Sequence, residues 1–180
     1  MKKLISAILM SMATVFCMAQ TEPEFEFEPF VFNTAESTIG DALPSENAYV
    51  KSKAGASMFI VGIGKVKTYY YIDGIASSLK LNKSNSDIVV NTGGVSPIQS
   101  ISIIKLELLK SKRRWKSGEV GAFTGASSNE EASVNLKYKK YGQSSVIIST
   151  KNFEPGEYVL TITNQMTNSK SLKVYTFCVQ

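Results

Sequence analysis

Ile101-Ser102-Ile103-Ile104-Lys105-Leu106-Glu107-Leu108-Leu109-Lys110 is the stretch that decides the fold. Taken at every second residue, Ile104, Leu106 and Leu108 fall on one face, while Lys105 and Glu107 fall on the other. A pleated strand needs that spacing, because successive side chains point to opposite sides. The same period recurs outward in both directions. Val134, Leu136 and Tyr138 alternate with Asn135, Lys137 and Lys139, and Tyr158, Leu160 and Ile162 follow the Pro155-Gly156 turn. Ser145 to Thr150 and Leu172 to Val179 are further strands towards the end of the chain. Upstream, strands are expected at Ala48 to Lys53, Ser57 to Ile63, Lys65 to Ile72, Ser78 to Leu81 and Asp87 to Asn91. Asp73-Gly74, Gly93-Gly94 and Tyr141-Gly142-Gln143 supply turn chemistry between them. A strand around Val120 to Thr124 precedes a Ser- and Asn-rich loop from Gly125 to Glu131. Helical periodicity is absent after the first residues. Some ten short strands with regular turn signals predict an all-β fold, an antiparallel β-sandwich of immunoglobulin-like or jelly-roll-like kind.

The amino-terminal part divides in two. Lys2 and Lys3 precede an uncharged, mostly apolar run from Leu4 to Met18, ending in Cys17-Met18-Ala19. This is the layout of a secretory signal peptide, and the run is short for a bilayer span of about 20 residues. Cleavage is expected after Ala19. Lipidation at Cys17 is disfavoured by the bulky Phe16 directly before it. The expected organisation is therefore a signal peptide over 1–19, an acidic first strand and linker over 20–46, and a basic body over 47–180. The last two form one domain. Within the acidic part, Glu24-Phe25-Glu26-Phe27-Glu28 alternates strictly and runs on through Phe30, Val31 and Phe32, with Pro29 marking an edge position or a bulge. Thr34 to Ser45 reads as a linker. Phe25, Phe27, Phe30 and Phe32 are expected to include core residues, since burying one phenylalanine contributes roughly 1.5 to 3 kcal/mol.

Several motifs are similar to those of a group of small exported β-sandwich proteins from Gram-negative bacteria. They are Lys51-Ser52-Lys53-Ala54-Gly55-Ala56-Ser57-Met58-Phe59-Ile60-Val61-Gly62-Ile63-Gly64-Lys65-Val66-Lys67, Gly121-Ala122-Phe123-Thr124-Gly125-Ala126-Ser127-Ser128-Asn129, Lys139-Lys140-Tyr141-Gly142-Gln143-Ser144-Ser145 and Pro155-Gly156-Glu157-Tyr158. The resemblance implies export and a sandwich fold. It implies no activity, because these are turn and strand residues and the group carries no functional residues to transfer. The chain departs from the group's Gly-Val-Asp ending, closing instead on Phe177-Cys178-Val179-Gln180.

Composition removes much of enzymology. The 180 residues contain no histidine and two cysteines, of which only Cys178 lies outside the leader. Ser-His-Asp and Cys-His arrangements are therefore excluded, as are histidine zinc sites and an internal disulfide in the processed chain. No cofactor and no metal site is expected. Glu24, Glu26 and Glu28 on a straight strand would stand about 6.5 to 7 Å apart, a poor calcium cage. Glu130-Glu131 and Glu154 with Glu157 select no catalytic pair. Gly62-Ile63-Gly64-Lys65 lacks the spacing of a phosphate loop. Cys178 reads as a small, buried hydrophobic residue.

Charge is uneven along the chain. Residues 21–46 hold seven acids and no bases, and residues 47–180 hold eighteen bases against eight acids, a net of plus ten. Two surfaces stand out. Lys65, Lys67, Tyr69 and Tyr71 share one strand face, an amphipathic platform able to stack on sugar rings or meet an acidic partner. Lys112, Arg113, Arg114 and Trp115 gather near a hairpin tip, with residue types common in interface anchors. Both also fit plain readings, tyrosines in cross-strand pairs and a solvated turn. The expectation is a periplasmic or extracellular, non-catalytic module that binds a protein or glycan through these residues. Nucleic acid is not an expected partner, and the membrane is met only during export. A glycan-directed hydrolase using carboxylates alone and a secretion or packing domain are the alternatives.

Overall fold

The computed structural model describes residues 21–54, 65–121, 125–128, 133–163 and 171–180. The signal peptide expected over 1–19 and the strand expected over Ser57 to Ile63 lie outside them. The described chain is almost entirely β, two antiparallel sheets packed face to face, which is the expected sandwich class.

The strands in chain order are β1 (Pro29–Asn33), β2 (Thr38–Ala42), β3 (Ser45–Ala54), β4 (Lys65–Asp73), β5 (Lys80–Leu81), β6 (Ser86–Asn91) and β7 (Ile101–Lys105). Then follow β8 (Glu107–Leu108), β9 (Lys112–Gly121), β10 (Gly125–Ser128), β11 (Tyr138–Tyr141), β12 (Ser145–Ile148), β13 (Gly156–Ile162) and β14 (Ser171–Val179). A single helical turn, Pro97–Ser100, leads into β7. The smaller sheet has the order β11-β12-β6-β1-β2, and the larger runs β10-β9-β4-β3-β14-β13-β7.

The stretch that reads as one strand has two partners. Ile101–Lys105 pairs with β13, and the Leu106 N–H continues that ladder to the Glu157 carbonyl at 2.8 Å. Glu107 and Leu108 then pair with Arg114 and Arg113 of β9. Since β9 also pairs with β4, the larger sheet closes on itself as a barrel, β9-β4-β3-β14-β13-β7/β8. Closure removes the edges that an open sheet would present. The alternation survives the change of partner as far as Leu106. Ile104 and Leu106 are buried inside the barrel, whereas Leu108 is 60 % exposed beyond its rim.

Three apolar clusters follow. The barrel interior holds Ala48, Ile72, Ile104, Leu106, Trp115, Val159, Leu172 and Val174. Between the sheets, Ile88, Val90, Val146 and Ile148 of the smaller sheet meet Ile103, Tyr158, Leu160, Tyr175 and Phe177 on the outside of the barrel. Phe177 stacks on Tyr158 with ring centroids 5.5 Å apart. The third cluster, Phe32, Val89, Tyr141 and Ile147, lies on the far face of the smaller sheet.

The acidic segment departs from its expected shape. Glu24 to Glu28 is not a straight strand: Phe27 takes a left-handed backbone (φ 59°), a conformation costly for a bulky side chain. Phe25 is 60 % exposed, whereas Phe32 is buried and Phe30 packs beside it. Pro29 opens β1, which lies between β6 and β2 and so is not an edge strand; its register on β2 shifts between Phe30 and Phe32. The expected linker from Thr34 to Ser45 contains β2, and the expected loop from Gly125 contains β10.

The arm that precedes β1 is pinned. The Glu22 carboxylate accepts from the N–H groups of Gln143 (2.5 Å) and Ser144 (3.0 Å) and from the hydroxyls of Ser144 (3.0 Å) and Ser145 (2.6 Å). The hydroxyl of Ser145 and the Gln143 N–H hold its pKa down to about 2. Gly142 makes the approach feasible: its φ is +62°, and a Cβ there would stand 2.2 Å from that carboxylate. Asn91 Nδ2 donates to the Pro23 carbonyl at 2.9 Å, and the Tyr141 hydroxyl donates to the Thr21 carbonyl at 3.2 Å.

Candidate binding surface

The wall of the barrel made by β3, β4 and β9 is diametrically opposite β13, the strand that packs on the smaller sheet. Its outward face is built by register. Tyr49 lies opposite Tyr71, Lys51 opposite Tyr69, and Tyr71 opposite Arg114. The Tyr49 and Tyr71 rings stack at 5.9 Å with planes 20° apart, and Tyr69 tilts against Tyr71 at 6.3 Å. Cations cover these rings. Arg114 lies 4.4 Å from the centroid of Tyr69, Lys112 lies 4.9 Å from Tyr49, and Lys51 lies 5.4 Å from Tyr49. Such contacts contribute about 0.5 to 1 kcal/mol at exposed sites.

Acids hold the cations in place. Arg114 Nε is 2.7 Å from Glu107 Oε2, and Lys112 Nζ is 3.0 Å from Asp73 Oδ1. Lys112 also donates to the Tyr49 hydroxyl, which donates to Asp73 at 3.2 Å. Lys112, first, and Tyr49 lower the pKa of Asp73. Tyr49 and Asp73 in turn raise that of Lys112, and Glu107 raises that of Arg114. The result is an aromatic cluster in which Tyr49 and Tyr69 are half-buried and Tyr71 is buried between them, with hydrogen-bonding groups around it.

Of the residues singled out in the sequence, Tyr69, Tyr71, Lys112 and Arg114 meet here, with Lys67 exposed further along β4. Lys65 opens β4 opposite Gly121. Tyr49, Lys51, Asp73 and Glu107 were missed. Tyr49 and Lys51 alternate within Ala48 to Lys53 just as the platform tyrosines do, but pairing that strand with β4 requires the register.

Two expected members of the surface do not belong to it. Arg113 and Trp115 alternate with Lys112 and Arg114 and therefore point into the barrel, where they are 1 % and 3 % exposed. Lys112 to Trp115 do follow a hairpin tip, where the Leu109 N–H meets the Lys112 carbonyl at 2.8 Å, but as the start of a ten-residue strand they alternate between its two faces. Trp115 stacks on Tyr70 at 4.9 Å. Arg113 closes one end of the barrel. Its Nη2 donates to both Glu46 oxygens at 2.9 and 2.8 Å and to the Asp73 carbonyl at 3.3 Å. Its Nη1 donates to Ser77 Oγ at 2.8 Å and lies 3.5 Å from Glu157 Oε2. Nε donates to the Gly74 carbonyl at 3.2 Å. Ser77 gives Glu157 both its N–H (2.8 Å) and its hydroxyl (2.5 Å), and Thr176 Oγ1 donates to Glu46 at 2.5 Å.

Glu46 and Glu157 are thus the acids that the fold draws together, and a guanidinium stands between them. Glu154 faces outward and pairs with Lys105 at 2.6 Å. Cys178 is half-buried near Glu157, and burial pushes its thiol pKa up. Among the described residues no group of three or more Cys, Asp or Glu could hold a metal ion. Against known proteins, no family model matches the chain, and no curated protein or solved structure matches it.

Proposed function

We propose that the protein is an exported, non-catalytic β-sandwich module that binds a glycan through the platform of Tyr49 and Tyr69, with the buried Tyr71 supporting them. The observation that carries this reading is the platform itself: tyrosine rings packed together on the barrel wall, with Lys51, Lys112 and Arg114 beside them. Sugar rings present C–H faces that pack on tyrosine, and their hydroxyls meet charged side chains at the margin. Because Asp73 and Glu107 partly balance the cations, the platform suits a ligand read by shape more than by charge. Two features support a binding role over hydrolysis. A carboxylate-only hydrolase needs two acids across an open cleft, and Glu46 and Glu157 instead converge on buried Arg113. The lack of histidine removes the commonest base. Export rests on the leader motif and on the resemblance to small exported sandwich proteins.

A glycan array probed with the chain from Gln20 onward, and with Tyr69→Ala, tests the site. Binding that falls at least tenfold in Tyr69→Ala, with an unchanged thermal midpoint, supports it. Binding to no glycan, or equal binding by the variant, refutes it, and shortening of a bound glycan in the mass spectrum refutes the non-catalytic part. Mass measurement of the exported form tests processing: a start at Gln20 is expected, and a lipid adduct on Cys17 overturns it.

A further inference from the structure

The far face of the smaller sheet carries a second concentration of charge, remote from the platform. A pocket of about 270 Å³ opens there beside β11, lined among others by Asp87, Lys137, Tyr138, Lys139, Ile147 and Lys151. Its lysines come from three places in the chain: the approach to β11, β11 itself, and the turn after β12. Register explains the meeting. Lys139 lies opposite Ile147, and the Ser149 N–H reaches the Lys137 carbonyl at 2.8 Å, which extends the ladder past the strand end.

The difference from the platform lies in what the cations touch. Lys112 and Arg114 are held by acids and rings, whereas Lys137, Lys139 and Lys151 are exposed and their side chains make no ion pair, hydrogen bond or ring contact among the described residues. The one acid in the pocket is Asp87, which is buried. Its Oδ1 accepts the Thr150 N–H at 3.0 Å, and its other oxygen makes no hydrogen bond among the described residues. Ile147 gives an apolar floor, while Tyr138, opposite Ile148, alternates to the other face of the sheet edge.

We infer that this pocket binds one acidic sugar unit of a glycan, a uronate-type ring. Three uncompensated ammonium groups would take its carboxylate, the second Asp87 oxygen would accept one of its hydroxyls, and Ile147 would lie under its ring face. Each element answers to a different part of such a ligand, whereas inorganic phosphate would use the lysines alone. The volume is below the roughly 300 to 1,000 Å³ of pockets that enclose drug-sized ligands, which fits a single ring. Because the site stands on the opposite side from the tyrosine wall, it does not depend on the platform binding anything.

The test is a titration of a galacturonate trimer into the isotope-labelled chain from Gln20, read by amide shifts. Saturable binding is expected, with the largest shifts between Lys137 and Lys151. It should weaken at least tenfold in Lys137→Gln/Lys139→Gln/Lys151→Gln. These side chains are exposed, so the thermal midpoint of the triple variant should match the parent. Tyr69→Ala should leave this binding unchanged, which separates the pocket from the platform. Raising salt from about 50 to 500 mM should weaken it, as expected for exposed charges. The inference is overturned if the trimer does not bind, if a neutral galactose trimer binds equally, or if the triple variant binds as the parent does. Phosphate competing as tightly as the trimer overturns the sugar assignment.

Discussion

Arg113 and Arg114 are neighbours in the chain and occupy opposite sides of the same barrel wall. Arg114 faces out, 4.4 Å from the Tyr69 ring and 2.7 Å from Glu107. Arg113 faces in, 1 % exposed, with Glu46, Glu157, Ser77 and the Gly74 carbonyl around it. One wall thus carries a buried ionic cluster on one side and a partly exposed cluster of tyrosines and cations on the other. The lesson concerns the worth of similar contacts in different surroundings. Outside, water competes for every charge and a pair contributes little. Inside, the guanidinium and its carboxylates depend on each other, because either one alone would be a charge stranded away from water.

The sharpest way to break the contrast is to remove the inner cation. Arg113→Met leaves Glu157 and Glu46 without their counter-charge and should cost about 3 to 5 kcal/mol. Denaturant unfolding of the variant measures it. Adding Glu157→Gln to Arg113→Met should recover part of the loss, since it removes one stranded charge. A loss below about 1 kcal/mol would show that the inner cluster behaves like a surface pair.

Acid reaches a third environment, the pinned arm. The Glu22 pKa lies near 2 in the folded chain, below its ordinary value of 4.5. A depressed carboxylate stabilises the fold above the unfolded value, and that contribution is lost as pH falls from about 4.5 through 2. Glu22 is partly solvated, so screening limits the effect to on the order of 1 kcal/mol. Glu22→Gln should therefore lower the thermal midpoint at pH 7 and converge with the parent near pH 2. A gap that persists unchanged at pH 2 would mean that the carboxylate charge is not what pins the arm.

The smallest effect belongs to the outer arginine. Arg114→Ala should cost no more than about 1 kcal/mol of stability, and less at high salt, while still weakening the glycan binding proposed for the platform. A stability loss comparable to that of Arg113→Met would erase the distinction between the two sides.

Legibility in the sequence follows the same division. Period-two spacing gave the strands and their two faces, so Tyr69 and Tyr71 on one side of β4 and Tyr70 and Ile72 on the other could be read directly. It also carried the information that Arg113 and Trp115 oppose Lys112 and Arg114. Adjacency in the chain gathers the four residues into one patch only if that alternation is ignored. The turn signals located most chain reversals, and the phenylalanines of the acidic segment pointed to Phe32 in a core. The bend at Phe27 was not legible, because it depends on Asn91 accepting the Phe27 N–H at 2.8 Å from a strand over sixty residues away.

The sequence by itself determined that this is an all-β chain without histidine chemistry, since alternation and composition are local properties written residue by residue. Tertiary structure alone decided that the larger sheet closes, because closure depends on which strand Glu107 and Leu108 find after Leu106. It also decided which charges are neutralised. Lys112 meets Asp73 across a barrel wall and Arg113 meets Glu46 from 67 residues away. Lys137, Lys139 and Lys151 converge on one pocket, a meeting set by strand register and not by order along the chain.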